Sequence, residues 1–218
     1  MALKRNMNQQ EMVNFIDNEL FPQIRKEIKN WIYPKKQTGG YFAVTRQILC
    51  MVDFLGAVYT GYPLSEKKKD KKGNKIATSD KAIKFITHFF EPKETYQEDV
   101  VTKLYNMYRH GLVHLYQPKI LKLSSKRRLS WFFYRGKRHM DKIKISTDKG
   151  EVVFEDVNHL QILCADKNNK RHNYLVISID CLYKDFEEAI KQYRQRLANT
   201  KYLQRNWRTA VNAICMPR

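Results

Sequence analysis

Apolar side chains at Met12, Phe15, Ile16, Leu20, Ile24, Ile28 and Trp31 recur at the spacing of one helical face, so the chain opens on an amphipathic helix. Pro22 should kink or divide it. Gly39-Gly40 breaks the pattern, and Tyr41 to Tyr59 then carries apolar residues around most of a helix: Phe42, Val44, Ile48, Leu49, Val52, Phe54, Leu55 and Val58. Such a helix belongs at the centre of a bundle or in a subunit interface. Arg46, Gln47 and Asp53 interrupt its apolar run, which favours a buried helix over a membrane span. Thr78 or Ser79 caps a third helix ending at Phe90 before Pro92, and a fourth runs from Thr95 to about Tyr116 before Pro118.

Beyond Pro118 the period changes to alternation. Ile120 to Leu123, Leu129 to Tyr134, Ile143 to Ser146, Val152 to Glu155, Leu160 to Cys164 and Tyr174 to Ile179 read as short strands of an antiparallel meander. Turns are expected at Asp148-Lys149-Gly150 and Asp166 to Asn169. Leu182, Phe186, Ala189, Ile190, Tyr193 and Leu197 then form a helix able to cover the sheet, followed by a basic tail from Lys201. The fold class is α+β. A helical bundle over 1–117 is followed by a small antiparallel β module with a C-terminal helix over 118–218, either separate or packed on the bundle as one unit.

Composition narrows the partners. The 218 residues hold 41 Lys and Arg against 22 Asp and Glu, a net charge of +19. The excess is +7 up to Tyr116 and +12 from Gln117. A field of that sign attracts polyanions, so RNA or another nucleic acid is the expected partner and no membrane is called for. Ser65 to Lys75 holds six lysines and reads as a solvated surface loop. The four cysteines lack metal-knuckle or redox spacing and Met1 to Gln10 lacks a signal-peptide core, which suits a reducing, cytoplasmic setting without cofactor or metal. Lys126, Arg127, Arg128, Arg135, Lys137 and Arg138 flank Trp131-Phe132-Phe133-Tyr134, a mixture suited to gripping phosphates. Alternation should send one aromatic pair inward, either Trp131 and Phe133 or Phe132 and Tyr134.

The chemically suggestive segment is Arg109-His110-Gly111-Leu112-Val113-His114. On an ideal wheel Val101, Leu104, Tyr105, Tyr108, Leu112, Leu115 and Tyr116 form the core stripe, while Lys103, Asn106, Arg109, His110, Val113 and His114 share the opposite arc. Arg109 and His114 stand about 140° apart, too far round a straight helix to grip one phosphate. Either the helix deforms near Gly111, or a second copy completes the site across a two-fold axis. Arg109 paired with an acidic neighbour, and histidines merely wetting a surface, is the alternative reading.

Arg109 and His114, with four residues between them near the end of a long helix, resemble the Arg-x4-6-His motif of the HEPN superfamily. The resemblance implies a HEPN-like bundle, a homodimer, and metal-independent RNA cleavage in toxin or defence systems, restrained by an antitoxin or other regulatory partner. By it, Arg109 binds the scissile phosphate, His114 is the principal acid or base, and His110 assists. A noncatalytic nucleic-acid-binding or dimeric scaffold protein of the same fold is the other reading.

Overall fold

The computed structural model describes residues 3–28, 40–62, 78–109, 111, 117–123, 127–147, 150–167 and 170–215. Helix α1 (Gln9–Phe15) starts at a capping box in which the Asn8 side chain accepts the Glu11 N–H and the Glu11 carboxylate accepts the Asn8 N–H. A π turn at Ile16–Leu20 leads straight into α2 (Phe21–Arg25). The Phe21 N–H reaches the Ile16 carbonyl, a five-residue bond. Pro22 has no N–H to give and its ring crowds the preceding turn, so the widened turn accommodates it. Met12, Phe15, Ile16, Leu20, Ile24 and Ile28 are buried as the spacing requires. Trp31 and the lysine-rich 65–75 segment lie outside the described residues.

Helix α3 (Tyr41–Thr60) is the central rod. It is long and apolar enough to cross a membrane, yet 56% of its most apolar window is buried inside the protein. Around it pack α4 (Thr78–Phe89), α5 (Glu98–Leu104) with a second π turn at Tyr105–Arg109, α6 (Ile179–Asn199) and α7 (Lys201–Ile214). Helix α6 is N-capped by Ser178, whose side chain accepts the Cys181 N–H. The basic tail from Lys201 is itself a helix that inserts Leu203, Trp207, Ala210 and Val211 into the core.

The strands are β1 (Leu121–Lys122), β2 (Arg128–Tyr134), β3 (His139–Thr147), β4 (Gly150–Asn158), β5 (Ile162–Lys167) and β6 (Lys170–Ser178). They make a four-stranded sheet of order β1-β2-β6-β5 and a separate β3-β4 hairpin. The expected antiparallel meander is corrected in one respect: β2 and β6 run parallel, Trp131 opposite Leu175 and Phe133 opposite Ile177. Parallel neighbours need a long crossover, and the β3-β4 excursion with β5 supplies it.

That topology also changes the fate of the aromatics. Leu129, Trp131, Phe133, Leu175 and Ile177 pack on the helices, while Phe132, Tyr134, Tyr174 and Val176 pack against the hairpin through Ile143, Phe154 and Val157. Both aromatic pairs therefore have packing partners, not one, although only Tyr134 is buried and Trp131, Phe132 and Phe133 are half-buried. A strand buried on both faces reads as a continuous apolar run, as Trp131 to Tyr134 and Tyr174 to Ile177 do. The main core joins Met12, Val52 and Phe89 to Leu175, Phe186 and Trp207, so one core takes residues from both sides of position 117.

Candidate functional site

Arg109 closes the second π turn. Its Nε donates to Asp53 Oδ2 at 2.6 Å, and the Tyr105 hydroxyl donates to Asp53 Oδ1, also at 2.6 Å. Asp53 is the carboxylate that interrupts the apolar run of α3, and its side chain is only 7% exposed. Burying a lone carboxylate there would cost several kcal/mol, about what a fully dehydrated ion loses after relaxation, so two donors at this point are required. The ideal wheel puts Arg109 at the edge of the polar arc. The π turn winds less per residue and brings Arg109 back beside Tyr105, toward α3, where it pairs with Asp53.

Electrostatics lock the trio. Burial and the Asp53 carboxylate push the Tyr105 hydroxyl far above its ordinary pKa, so it remains a donor. Burial alone would lower the Arg109 pKa, but the Asp53 bond and charge outweigh it and raise it. The Cys50 thiol beside them is pushed up by burial and is no thiolate nucleophile at neutral pH. Among the described residues the hydrogen bonding of Arg109 runs through Nε, leaving the Nη1–Nη2 end of the fork uncommitted, with the side chain 22% exposed.

Gly111 follows at once and is buried. The chain returns over it: the Lys119 N–H bonds the Met107 carbonyl at 2.8 Å, and a Cβ on Gly111 would sit 2.3 Å from Lys119 N and 2.5 Å from Gln117 O. Only glycine lets the returning backbone lie this close. Gly111→Ala is therefore expected to destabilise the protein by about 1–3 kcal/mol, the usual cost of overpacking. Urea unfolding checks it, and an unchanged midpoint would mean that this crossing is looser than described. His110 and His114 lie outside the described residues.

The six candidate nucleic-acid cations divide by environment. Arg127 and Arg128 are exposed at the start of β2, and Lys137 is exposed after it, while Lys126 lies outside the described residues. Arg135 stands over the Tyr41 ring at 5.4 Å. Arg138 turns inward, its Nη2 donating to both oxygens of buried Asp185 at 2.6 Å.

Asp185 belongs to a buried network that the sequence reading missed. Tyr96 OH donates to Asp185 Oδ2 at 2.6 Å and lies 3.1 Å from His159 Nε2, while His159 Nδ1 accepts the Ser178 N–H at 3.0 Å. Since Nδ1 accepts, the neutral ring carries its proton on Nε2 and donates to the Tyr96 oxygen. Burial, with the Arg138 charge second, lowers the His159 pKa to about 3. A histidine held neutral at this depth serves as a structural connector. Its members come from four distant stretches of chain, and His159 alone has no spacing that marks it.

No family model, no curated protein and no solved structure matches this chain. Among the described residues no three His, Cys, Asp or Glu side chains gather as a metal site would require.

Proposed function

We propose that the Arg109 end of the second π turn is half of a metal-independent endoribonuclease site, completed by His114, by His110, and by the same segment of a second copy. The supporting observation is the Asp53 grip on Nε, which fixes the guanidinium plane while leaving its forked end for a phosphate. Tyr105 shares the carboxylate and keeps it from turning away. In transesterification a base removes the 2′-hydroxyl proton, the 2′ oxygen attacks phosphorus, and an acid protonates the departing 5′ oxygen. Imidazoles fill the proton-transfer roles, and Arg109 stabilises the charge that develops on the phosphorane. The +19 charge supports an RNA substrate, and the cytoplasmic toxin or defence role, with an antitoxin or other regulatory partner, rests on the HEPN resemblance.

The Asp53–Arg109 pair also favours a second reading, in which both residues only hold α3 against α5 and the protein binds nucleic acid without cutting it. Cleavage separates the two. The purified full chain is expected to degrade single-stranded RNA in EDTA, leave 2′,3′-cyclic phosphate ends, and spare DNA, which lacks the attacking hydroxyl. Intact RNA across a broad panel of sequences, with strand binding retained, would make the noncatalytic reading the better one.

A further inference from the structure

The start of α3 and the middle of β2 enclose an open pocket of about 530 Å³, lined by Gly40, Tyr41, Phe42, Ala43, Trp131 and Phe133 among others. Its walls are ring faces and edges. Phe42 lies edge-on to Trp131 at 5.3 Å, Tyr41 stacks on Phe133 at 6.0 Å, and Phe42 is 36% exposed. Aromatic side chains left at a pocket mouth, with their partners already in edge contact, present faces to a further planar group.

Positive charge borders this apolar box. Arg135 stands over Tyr41, a residue of its wall, and Arg127 is exposed just before the strand that carries Trp131. The first turn of the 20-residue helix α3 forms one wall. Its first helical bond runs from Val44 N–H to the Gly40 carbonyl, no side chain among the described residues caps it, and no acidic residue stands in its first turn. That end carries the positive pole of the helix and favours an anion beside it. A ligand that is planar where it enters and negative where it leaves matches both halves, and in a chain of charge +19 a polynucleotide strand supplies it.

We propose that this pocket receives an unpaired base of single-stranded RNA, stacked among Phe42, Trp131 and Phe133, with the adjoining phosphate at the start of α3. The proposal deepens the ribonuclease reading and rests on it for the choice of RNA. The two sites are physically joined: Phe133 packs on Tyr108, the neighbour of Arg109, at 5.1 Å. Asp53 lies 12 residues from Tyr41 along α3, about 18 Å at 1.5 Å per residue. A strand of a few nucleotides spans that distance, so the pocket would fix the register in which the phosphate meets Arg109.

Binding is measured with the full chain and a labelled 2′-O-methyl oligonucleotide, which cannot be cleaved, beside a strand of the same length bearing abasic sites. Phe42→Ala and Trp131→Ala are each expected to weaken the normal strand about 10- to 100-fold, as loss of one stacked base does. Trp131→Phe should restore most of it, and the abasic strand should bind wild type weakly and the variants equally so. Phe42 is at the helix start and about a third exposed, so its variant tests the pocket even if Trp131→Ala fails to fold. Normal-strand affinity unchanged in Phe42→Ala overturns the proposal, as does equal weakening of normal and abasic strands. Competition by a free mononucleotide at the strand's own affinity would overturn the commitment to a strand. Base-dependent binding by a protein that cuts no RNA would uphold the pocket and sink only the ribonuclease reading.

Discussion

His114→Ala is expected to slow RNA cleavage about 10²- to 10⁴-fold, the contribution of a positioned general acid or base, while leaving the unfolding midpoint near that of the parent protein. The sequence places His114 on the polar arc of its helix, where a truncation to alanine removes little packing. Arg109 needs a more careful substitution. Arg109→Ala strips Asp53 of its charged partner and leaves a buried carboxylate held by Tyr105 alone, so a lower rate would be confounded by a loosened fold. Arg109→Lys keeps the charge near Asp53 and removes the fork, and should cut the rate by about 10²-fold or more with a small change in stability. Asp53→Asn retains an oxygen for Nε and should lie between this variant and the parent. His110→Ala is expected to lose less. Rates are compared at saturating RNA in EDTA, with circular dichroism confirming the fold. If His114→Ala and Arg109→Lys both cleave like the parent, the activity does not belong to this segment.

The helical part was readable because its signals are local. The expected spans of α3, Tyr41 to Tyr59 after Gly39-Gly40, and of α4, from Thr78 or Ser79 to Phe90 before Pro92, lie within a residue of the observed bounds. The strands were found for the same reason, but their partners were not. Whether β2 lies against β3 or parallel to β6 is decided by packing between residues some 45 positions apart, and period-2 alternation is blind to it. The uninterrupted apolar run from Trp131 to Tyr134 was the available clue that both faces are covered. At the site, Asp53 announced itself as a carboxylate inside an apolar helix, and burial demands a partner for it. Which partner depends on the π turn that carries Tyr105 and Arg109 to it from more than 50 residues away. Arg138 shows the opposite failure, since its place in a basic run suggested solvent and its contact with Asp185 is made through the tertiary fold.

Lowering the pH from 7 to 5 is expected to cost the protein about 2 kcal/mol of stability through His159 alone. The ring is 3% exposed and its folded pKa lies at about 3, lowered first by burial and then by Arg138, against an ordinary value near 6.5 in the unfolded chain. Between those two values the unfolded chain binds a proton that the folded one refuses, so stability is full above about pH 6.5 and declines as the pH falls toward 3, by about 1.4 kcal/mol per unit. The geometry gives the reason: a proton on Nδ1 would face the Ser178 N–H already bonded there at 3.0 Å. The Glu11 and Asp99 carboxyls are lowered from their ordinary values, chiefly by hydrogen bonds from Lys4 and Lys103 respectively. Among the described residues two other shifts bear on the acid response. His88, also lowered by burial and by Arg196, adds a loss of the same sign, while burial raises the Asp185 pKa and works the other way. The measurement is therefore a difference between urea-unfolding series at pH 7 and pH 5 for the parent and for His159→Asn. Asparagine offers an oxygen near the position of Nδ1 and cannot titrate. The variant should be less stable at pH 7, because Tyr96 loses a donor, yet its stability should fall less on acidification by about the same 2 kcal/mol. Parallel declines in the two proteins would show that His159 accepts its proton inside the fold, and that the Tyr96–Asp185–Arg138 network does not hold it neutral.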